Sequence, residues 1–366
     1  MRGSSKRPRM PYSDVSSGAS CTGTTLFILT TCTSSVDTMS FKVGPINAER
    51  GEKVHGYLDA AEMPLGKVSL PVTVINGREP GKALLVMAGI HATEYPGMRA
   101  AQRLAQEIEP GEVTGTILIL HCANPQMFNA YSAFVNPVDS INFNRIFPGK
   151  PTFEGFYGAG TVSHHITNRI YTELMTKATH FMDLHAGDLP ELLPFYASGS
   201  APGDPVKDEE NLQMLRYTLA DFIGLGSRSE SLSTTGAASR AGIPNVIVEA
   251  GGAGLMDPAD VERHYKAVTN VARYLGILPG DPEEPVGQRQ FSSDYAGVRA
   301  RRGGFFESHV TAGEYVEAGQ HIGTITDIFG KTLEKVASPI TGIVQIIHFP
   351  AAKHTGDPLY SLRGVQ

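Results

Sequence analysis

The sequence predicts an α/β protein: a mixed, mostly parallel sheet flanked by helices, followed by a small C-terminal β-barrel. Three observations carry this prediction. Apolar strand-like runs alternate with helix-period segments from residue 67 to residue 275, the pattern of a parallel sheet covered by helices. His91, His185 and Glu249 each end an apolar run, and open α/β sheets bind ligands beyond the carboxyl ends of their strands. After Pro282-Glu283-Glu284-Pro285 the helical period disappears and a turn-rich β pattern replaces it.

The elements follow in order. Residues 1–38 are rich in Ser and Thr, start basic (Arg2, Lys6, Arg7, Arg9) and read as a disordered N-terminal extension. Their apolar patch, residues 26–29, is shorter than the roughly 7–15 residues of a signal-peptide core. Strands are expected at 67–75 (KVSLPVTVI), 83–87 (ALLVM), 115–121 (GTILILH), 181–185 (FMDLH) and 245–249 (NVIVE). Helices are expected at 97–108, where Pro96 suits a first turn, and at 162–179, 208–223 and 259–275. Residues 124–156 form a long Asn/Pro/Phe-rich stretch without period, and such loops are usually functional. Past residue 285 the sequences VTAGEYVEAGQHIGTI, VASPITGIVQIIHF and GDPLYSL, with turns expected at Gly313, Gly319 and Gly342, resemble the small barrel of lipoyl and biotin carrier domains. The lysine-presenting sequence of such domains is missing and Lys331 does not replace it, so 286–366 reads as an unmodified accessory barrel.

Bulk composition narrows the function. The 366 residues carry a net charge of −6, and their 31 basic residues are spread along the chain, which argues against nucleic-acid binding. No apolar run approaches the ~20 residues that span a bilayer, so no membrane association is expected. Three cysteines, Cys21, Cys32 and Cys122, form neither a disulfide framework nor a Cys-type zinc site, which fits a reducing cytoplasm.

The chemistry centres on GKALLVMAGIHATEYPGMRAAQRLA. His91 and Glu94 sit three residues apart at the mouth of a strand-to-helix turn, where both can close on one small cation. The pair alone is weak: a helix-cap carboxylate beside an unrelated histidine gives the same spacing. A catalytic zinc site takes three protein ligands, and His185 in DLHAG is the best third. Asp183 lies two residues earlier on the same strand face and can orient a ligand histidine, or cap a strand end. Glu249, ending the apolar run VIVE, is suited to take a proton from water and hand it to a leaving nitrogen. In the loop DSINFNRIFPG, Arg145 is a planar fork for a substrate carboxylate and Asn144 adds a neutral partner. His121 reads as a structural residue, His164 and His165 as solvent-facing helix positions, and His180 as turned away from the face of His185.

Together these elements resemble the succinylglutamate desuccinylase/aspartoacylase family, relatives of the zinc carboxypeptidases. The resemblance runs from about Met39 to the C-terminus and rests on GIHATEYPG, ANPQMF, NPVDSINFNRIFPG, DLHAG and GIPNVIVEAGG. It implies a zinc-carboxypeptidase-like hydrolase domain over 39–285, with one zinc ion per chain held by His91, Glu94 and His185. It also implies Glu249 as general acid/base and Asn144 and Arg145 as substrate binders. The expected activity is a zinc-dependent deacylase that cleaves a non-peptide amide, such as an N-acyl amino acid. A zinc carboxypeptidase and a non-catalytic zinc or small-ligand binding protein are the alternatives. The expected partner is a small-molecule amide, and a homo-oligomer stays open. One departure stands out: the family's additional arginine before NRxFPG aligns with Phe134.

Overall fold

The computed structural model describes residues 40–150 and 160–366. The extension expected over residues 1–38, and the end of the 124–156 loop, lie outside the described residues. The chain opens with two short strands, β1 (Phe41–Val43) and β2 (Ile46–Ala48), which pair with each other. It continues through β3 (Glu52–Met63), β4 (Gly66–Asn76), β5 (Glu79–Ala88), α1 (Tyr95–Glu107), β6 (Thr114–Leu120), α2 (Pro125–Ala130) and α3 (Val162–Glu173). Next come β7 (His180–His185), β8 (Glu191–Ser200), α4 (Pro205–Tyr217), β9 (Phe222–Gly226), α5 (Thr234–Arg240), β10 (Asn245–Gly252) and α6 (Pro258–Tyr274). Strands alone follow: β11 (Arg289–Arg299), β12 (Gly304–Ser308), β13 (Tyr315–Val316), β14 (His321–Thr326), β15 (Thr332–Ala337), β16 (Gly342–His348), β17 (Ala352–Lys353) and β18 (Pro358–Val365).

A 12-stranded sheet in the order β13-β16-β18-β11-β9-β8-β10-β7-β5-β6-β4-β3 forms the backbone of the fold. Parallel pairing is confined to β6-β5-β7-β10 and β8-β9-β11. The remaining pairings of this sheet are antiparallel, so it is mixed rather than mostly parallel. The central strands are covered on both faces, which is why β7 is buried at every residue. On one face, Leu84, Val86, Met182, Leu184, Val246 and Val248 pack with Leu104 of α1, Met214 and Leu215 of α4 and Val268 and Val271 of α6. On the other, Leu85, Met87 and Phe181 pack with Ile166 and Ile170 of α3 and Ala237 and Ala238 of α5. A fully buried aliphatic side chain of this kind contributes about 1.5–3 kcal/mol.

Several elements differ from the sequence expectation. The helix expected over 162–179 stops at Glu173, because Leu174 leaves helical geometry (φ −122°, ψ −61°). The helix expected over 208–223 starts earlier, at Pro205, where the Asp204 carboxylate accepts from the amides of Val206 and Lys207. It ends at Tyr217; Leu219 then adopts φ 61°, and Phe222–Gly226 is strand β9. Glu249 is not at a strand end: β10 runs on to Gly252, with a register shift directly after Glu249. Gly342 opens β16 rather than a turn, because a Cβ there would collide with the Arg363 carbonyl of β18.

The strands beyond residue 285 build a second, four-stranded sheet, β15-β14-β12-β17, and the terminal strands of the long one. Between them lies a core of their own, including Phe306, Ile322, Ile325, Val344, Leu359 and Tyr360. β11 pairs with β9, and Ile347 and His348 of β16 pair with Leu192 and Glu191 of β8, so hydrogen bonding runs unbroken across 282–285.

Candidate active site

The site lies at the carboxyl ends of β5 and β7. β5 ends at Ala88, and the chain turns through Gly89 (φ 69°) to present His91 and Glu94 just before α1. Pro96 starts that helix without needing a backbone donor. Strand alternation does the rest. Met182 and Leu184 enter one core and Phe181 the other, so Asp183 and His185 share the face of Phe181. Glu249 of β10 is in register with His185 on one side and Tyr196 of β8 on the other. Three strands thereby lay His185, Glu249 and Tyr196 in a row.

His91, Glu94 and His185 offer ligand atoms all within 4.8 Å of one another, and all three residues are buried. His91 Nδ1 lies 2.9 Å from Glu94 Oε1, and His185 Nδ1 lies 3.0 Å from Glu94 Oε2. The other ring nitrogens have partners of their own. Asn142 Oδ1 accepts from the Asn144 amide at 2.8 Å, so it is an acceptor, and His91 Nε2 at 3.2 Å from it is the donor. His185 Nε2 lies 3.1 Å from Asp183 Oδ2, an ion-pair contact whose angle falls short of a well-formed hydrogen bond. A neutral ring with Nε2 protonated turns its Nδ1 lone pair toward the Glu94 carboxylate, whereas a proton on Nδ1 makes the hydrogen bond to it instead. Two imidazoles and one carboxylate, with ligand atoms this close to one another, form a donor set for a metal ion. The residues present fit such an ion.

The electrostatics agree. Burial pushes the Glu94 carboxyl up, but His185 and His91 outweigh it and hold it at about 2. Burial disfavours a charged His185, yet Asp183 and Glu94 hold its pKa well above the ordinary value. A metal ion there displaces that proton, since ligand histidines must be neutral. Burial, aided by Glu94, Glu191 and Asp183 against His185, raises the Glu249 carboxyl well above its ordinary range, and Glu249 Oε2 is buried without a hydrogen-bond partner. Tyr196 is likewise raised, by burial and by Glu249 and Glu191, and is a neutral phenol.

The network continues outward. Thr234 Oγ1 at the start of α5 donates to Asp183 Oδ2 at 2.7 Å, and the Thr234 amide donates to Asn144 Oδ1 at 2.9 Å. Asn144 is buried with its Oδ1 taken by this bond, whereas Arg145 is exposed, with Nη1 donating to the Asn144 carbonyl at 2.8 Å. Phe134, at φ 59°, stands edge-on to the His91 ring at 6.3 Å. The fully buried Asp188 pins it there, accepting from the amides of Phe134 and Leu189 at 2.6 Å each and from the Thr93 hydroxyl. These side chains enclose a pocket of about 190 Å³ that His91, Glu94, His185, Glu249, Asn144 and Arg145 all line.

Asp183 is the one predicted site residue absent from the pocket wall; it sits behind His185. Sequence reading missed Asn142, Glu191, Tyr196 and Ile346, which also line the pocket. Asn142 lay inside the singled-out NFNR loop and was within reach of a sequence argument. The others depend on β8 and β16 and carried no local signal. Of the remaining histidines, His121 Nε2 lies 2.7 Å from Thr73 Oγ1, and His180 lies 3.2 Å from Glu210, at the opposite end of β7 from His185. His164, expected to face solvent, is buried with Nδ1 3.0 Å from Thr161 Oγ1.

A histidine–carboxylate cluster with an adjacent glutamate whose Oε2 is buried, set at the strand ends of an α/β sheet, marks the hydrolase class. The chain belongs to the succinylglutamate desuccinylase/aspartoacylase family, whose catalytic-domain model matches residues 80–275. It is 27% identical over 317 residues to an N-alpha-acetyl-L-2,4-diaminobutyric acid deacetylase of Halomonas elongata, covering 83% of this chain and 90% of that protein. It is also similar to a succinylglutamate desuccinylase/aspartoacylase structure from Rhodobacter sphaeroides (TM-score 0.77, 26% identity, 88% of this chain and 98% of that one). The product-bound ectoine utilization protein of Ruegeria pomeroyi shares the fold (TM-score 0.79, 24% identity, 87% and 98% covered). These relatives make the chain a hydrolase of the deacylase type.

Proposed function

We propose that the protein is a zinc-dependent deacylase that hydrolyses the amide of an N-acyl amino acid, with residues 39–285 as the catalytic domain and 286–366 as an accessory one. The observation that carries this reading is the convergence of His91, Glu94 and His185 beside Glu249. The deacetylase relative acts, by its name, on an N-acetylated amino acid. A pocket of about 190 Å³ is below the roughly 300–1,000 Å³ of drug-sized sites, which favours a small amide over a peptide.

His91, Glu94 and His185 hold the zinc ion, which when bound polarises a carbonyl and eases water deprotonation. Asp183 steadies His185 through Nε2, and Asn142 steadies His91 in the same way. Glu249 takes a proton from the attacking water at its carboxylate as the new C–O bond forms. It passes that proton to the amine nitrogen as the C–N bond breaks. Its burial raises its pKa toward the range where both transfers are practicable. Arg145 takes the substrate carboxylate, while Asn144 holds the loop that carries Arg145 against α5. With Phe134 where the family has an arginine, the oxyanion loses a cationic donor of a kind worth about 2.7–4 kcal/mol. The neutral Tyr196 hydroxyl is a donor in the same pocket.

The test is elemental analysis and an N-acyl amino acid panel on wild type, His91→Ala, His185→Ala and Glu249→Gln. One zinc per chain is expected in wild type and Glu249→Gln and is lost in both histidine variants. Glu249→Gln should lower kcat by about 10²–10⁴-fold with zinc retained. Zinc binding that survives both histidine changes, or a fully active Glu249→Gln, counts against the reading.

A further inference from the structure

Alternation along β8 and β9 sends two sets of side chains to opposite faces of the sheet. Phe195, Ala197 and Ile223 join the core that α4 and α6 cover. Tyr196, Ser198, Gly224 and Gly226 line a cavity instead, with Ser198 and Gly224 opposite each other in register. A serine and two glycines leave this face nearly bare. Gly224 keeps the room open: an added Cβ would lie 3.0 Å from the Phe291 ring of β11. With Arg363 of β18 in its wall, the cavity measures about 500 Å³, larger than the 190 Å³ catalytic pocket and inside the roughly 300–1,000 Å³ of small-molecule sites.

Arg363 gives this cavity its charge. Its Nε donates to the Ser292 carbonyl at 3.3 Å, and its guanidinium lies over the Phe291 ring, 5.3 Å from the centroid. Among the described residues it meets no carboxylate within ion-pair range, and Nη1 and Nη2 donate to none of them. The fork of donors is thus held in place by one backbone carbonyl and one ring while its outer edge stays available. Such a fork matches a carboxylate through two parallel hydrogen bonds. The wall beside it is aromatic and fixed: Phe291 stacks on Phe222 at 6.0 Å and stands edge-on to Tyr196 at 5.7 Å. A guanidinium next to aromatic rings suits an acid with an apolar body better than a bare inorganic anion.

We infer that this cavity is a second ligand site, for a small organic carboxylate held by Arg363, built where the strands beyond residue 285 join the catalytic sheet. Tyr196 lines both this cavity and the catalytic pocket and is the wall they share. The acid that amide hydrolysis releases and an acid free in solution carry the same carboxylate, and Arg363 reads that group. The site stands on its own residues and goes beyond the deacylase reading.

The test is calorimetric titration of the metal-loaded full-length protein with benzoate, acetate and inorganic phosphate. Benzoate should bind, and Arg363→Met should weaken that binding by about 10- to 100-fold, the range of hydrogen bonds to a charged group. Arg145→Ala, which removes the cation of the catalytic pocket, should leave the Arg363-dependent binding in place. Gly226→Val gives a second route if Arg363→Met does not fold: its new side chain fills the cavity, and its Cβ meets only the Gly199 carbonyl, at 3.5 Å. It should weaken benzoate as well. Benzoate bound tighter than acetate identifies an acid from solution with an apolar body, whereas equal binding identifies the short acid that hydrolysis releases. No benzoate binding, binding indifferent to both Arg363→Met and Gly226→Val, binding abolished by Arg145→Ala, or phosphate bound as tightly as benzoate overturns the inference. None of these outcomes touches the deacylase reading, which zinc content and turnover decide.

Discussion

Asp183 shows how a residue outside the pocket controls what happens in it. It is fully buried, receives the Thr234 hydroxyl at 2.7 Å, and faces His185 Nε2 at 3.1 Å. It thereby faces the ring nitrogen of His185 opposite the one that meets Glu94. An Asp183→Asn variant keeps the shape and loses the charge. Its zinc affinity, measured by competition with a chelator, should fall by about 10–100-fold. Unchanged affinity would reduce Asp183 to a strand-end polar group. His91, Glu94 and His185 were legible in sequence because their placement is local: a strand ends, a helix begins, and alternation sets the face. Glu191 and Tyr196 were not, since nothing within a few residues of either says that β8 lies beside β10.

At the scale of elements, the site depends on how closely α1 packs on β7. Gly97, in the first turn of α1, makes this possible: an added Cβ would lie 2.8 Å from Leu184 Cβ and 3.0 Å from the Leu184 carbonyl. Leu184 adjoins His185, and Gly97 is three residues from Glu94. Gly97→Ala therefore pushes the helix start that carries Glu94 away from the strand that carries His185. The expected cost is about 1–3 kcal/mol in urea denaturation, as for overpacking in a tight core, with weaker zinc binding alongside. An Ala variant as stable as wild type would show that α1 can slide without cost. Strands and helices with strong periods, such as β4, β6, α1 and α6, were readable from sequence. β9 was absorbed into a helix because residues 208–223 keep a helical pattern past the point where Leu219 turns left-handed.

For the whole molecule, buried histidines set the acid response. Burial lowers His121, aided by His55, and lowers His264 and His348, each to about 4. The unfolded chain takes up these protons near pH 6.5, and the folded chain refuses them until about pH 4. Stability is thus complete above about pH 6.5 and falls as pH drops toward 4. His121, hydrogen-bonded through Thr73 Oγ1 to His55, is not one of the candidate metal ligands and isolates this effect. For metal-free protein, denaturation at pH 7.5 and 4.5 should show His121→Gln losing about 1–2 kcal/mol less than wild type, a figure discounted for partial solvent screening. An equal loss would place the acid sensitivity elsewhere.

The sequence by itself determined the α/β alternation, the three metal-binding candidates, the glutamate beside them and the change of character after residue 285. All of these are written in local period, in spacing and in the residue type at the end of an apolar run. The tertiary structure alone decided the mixed direction of the sheet and the placement of Glu191 in the pocket wall. It also decided the row of His185, Glu249 and Tyr196, and brought Ile346 from β16 into the pocket wall. The reason is physical: strand order and register are settled by which non-local faces bury one another, and no short window of sequence contains both partners.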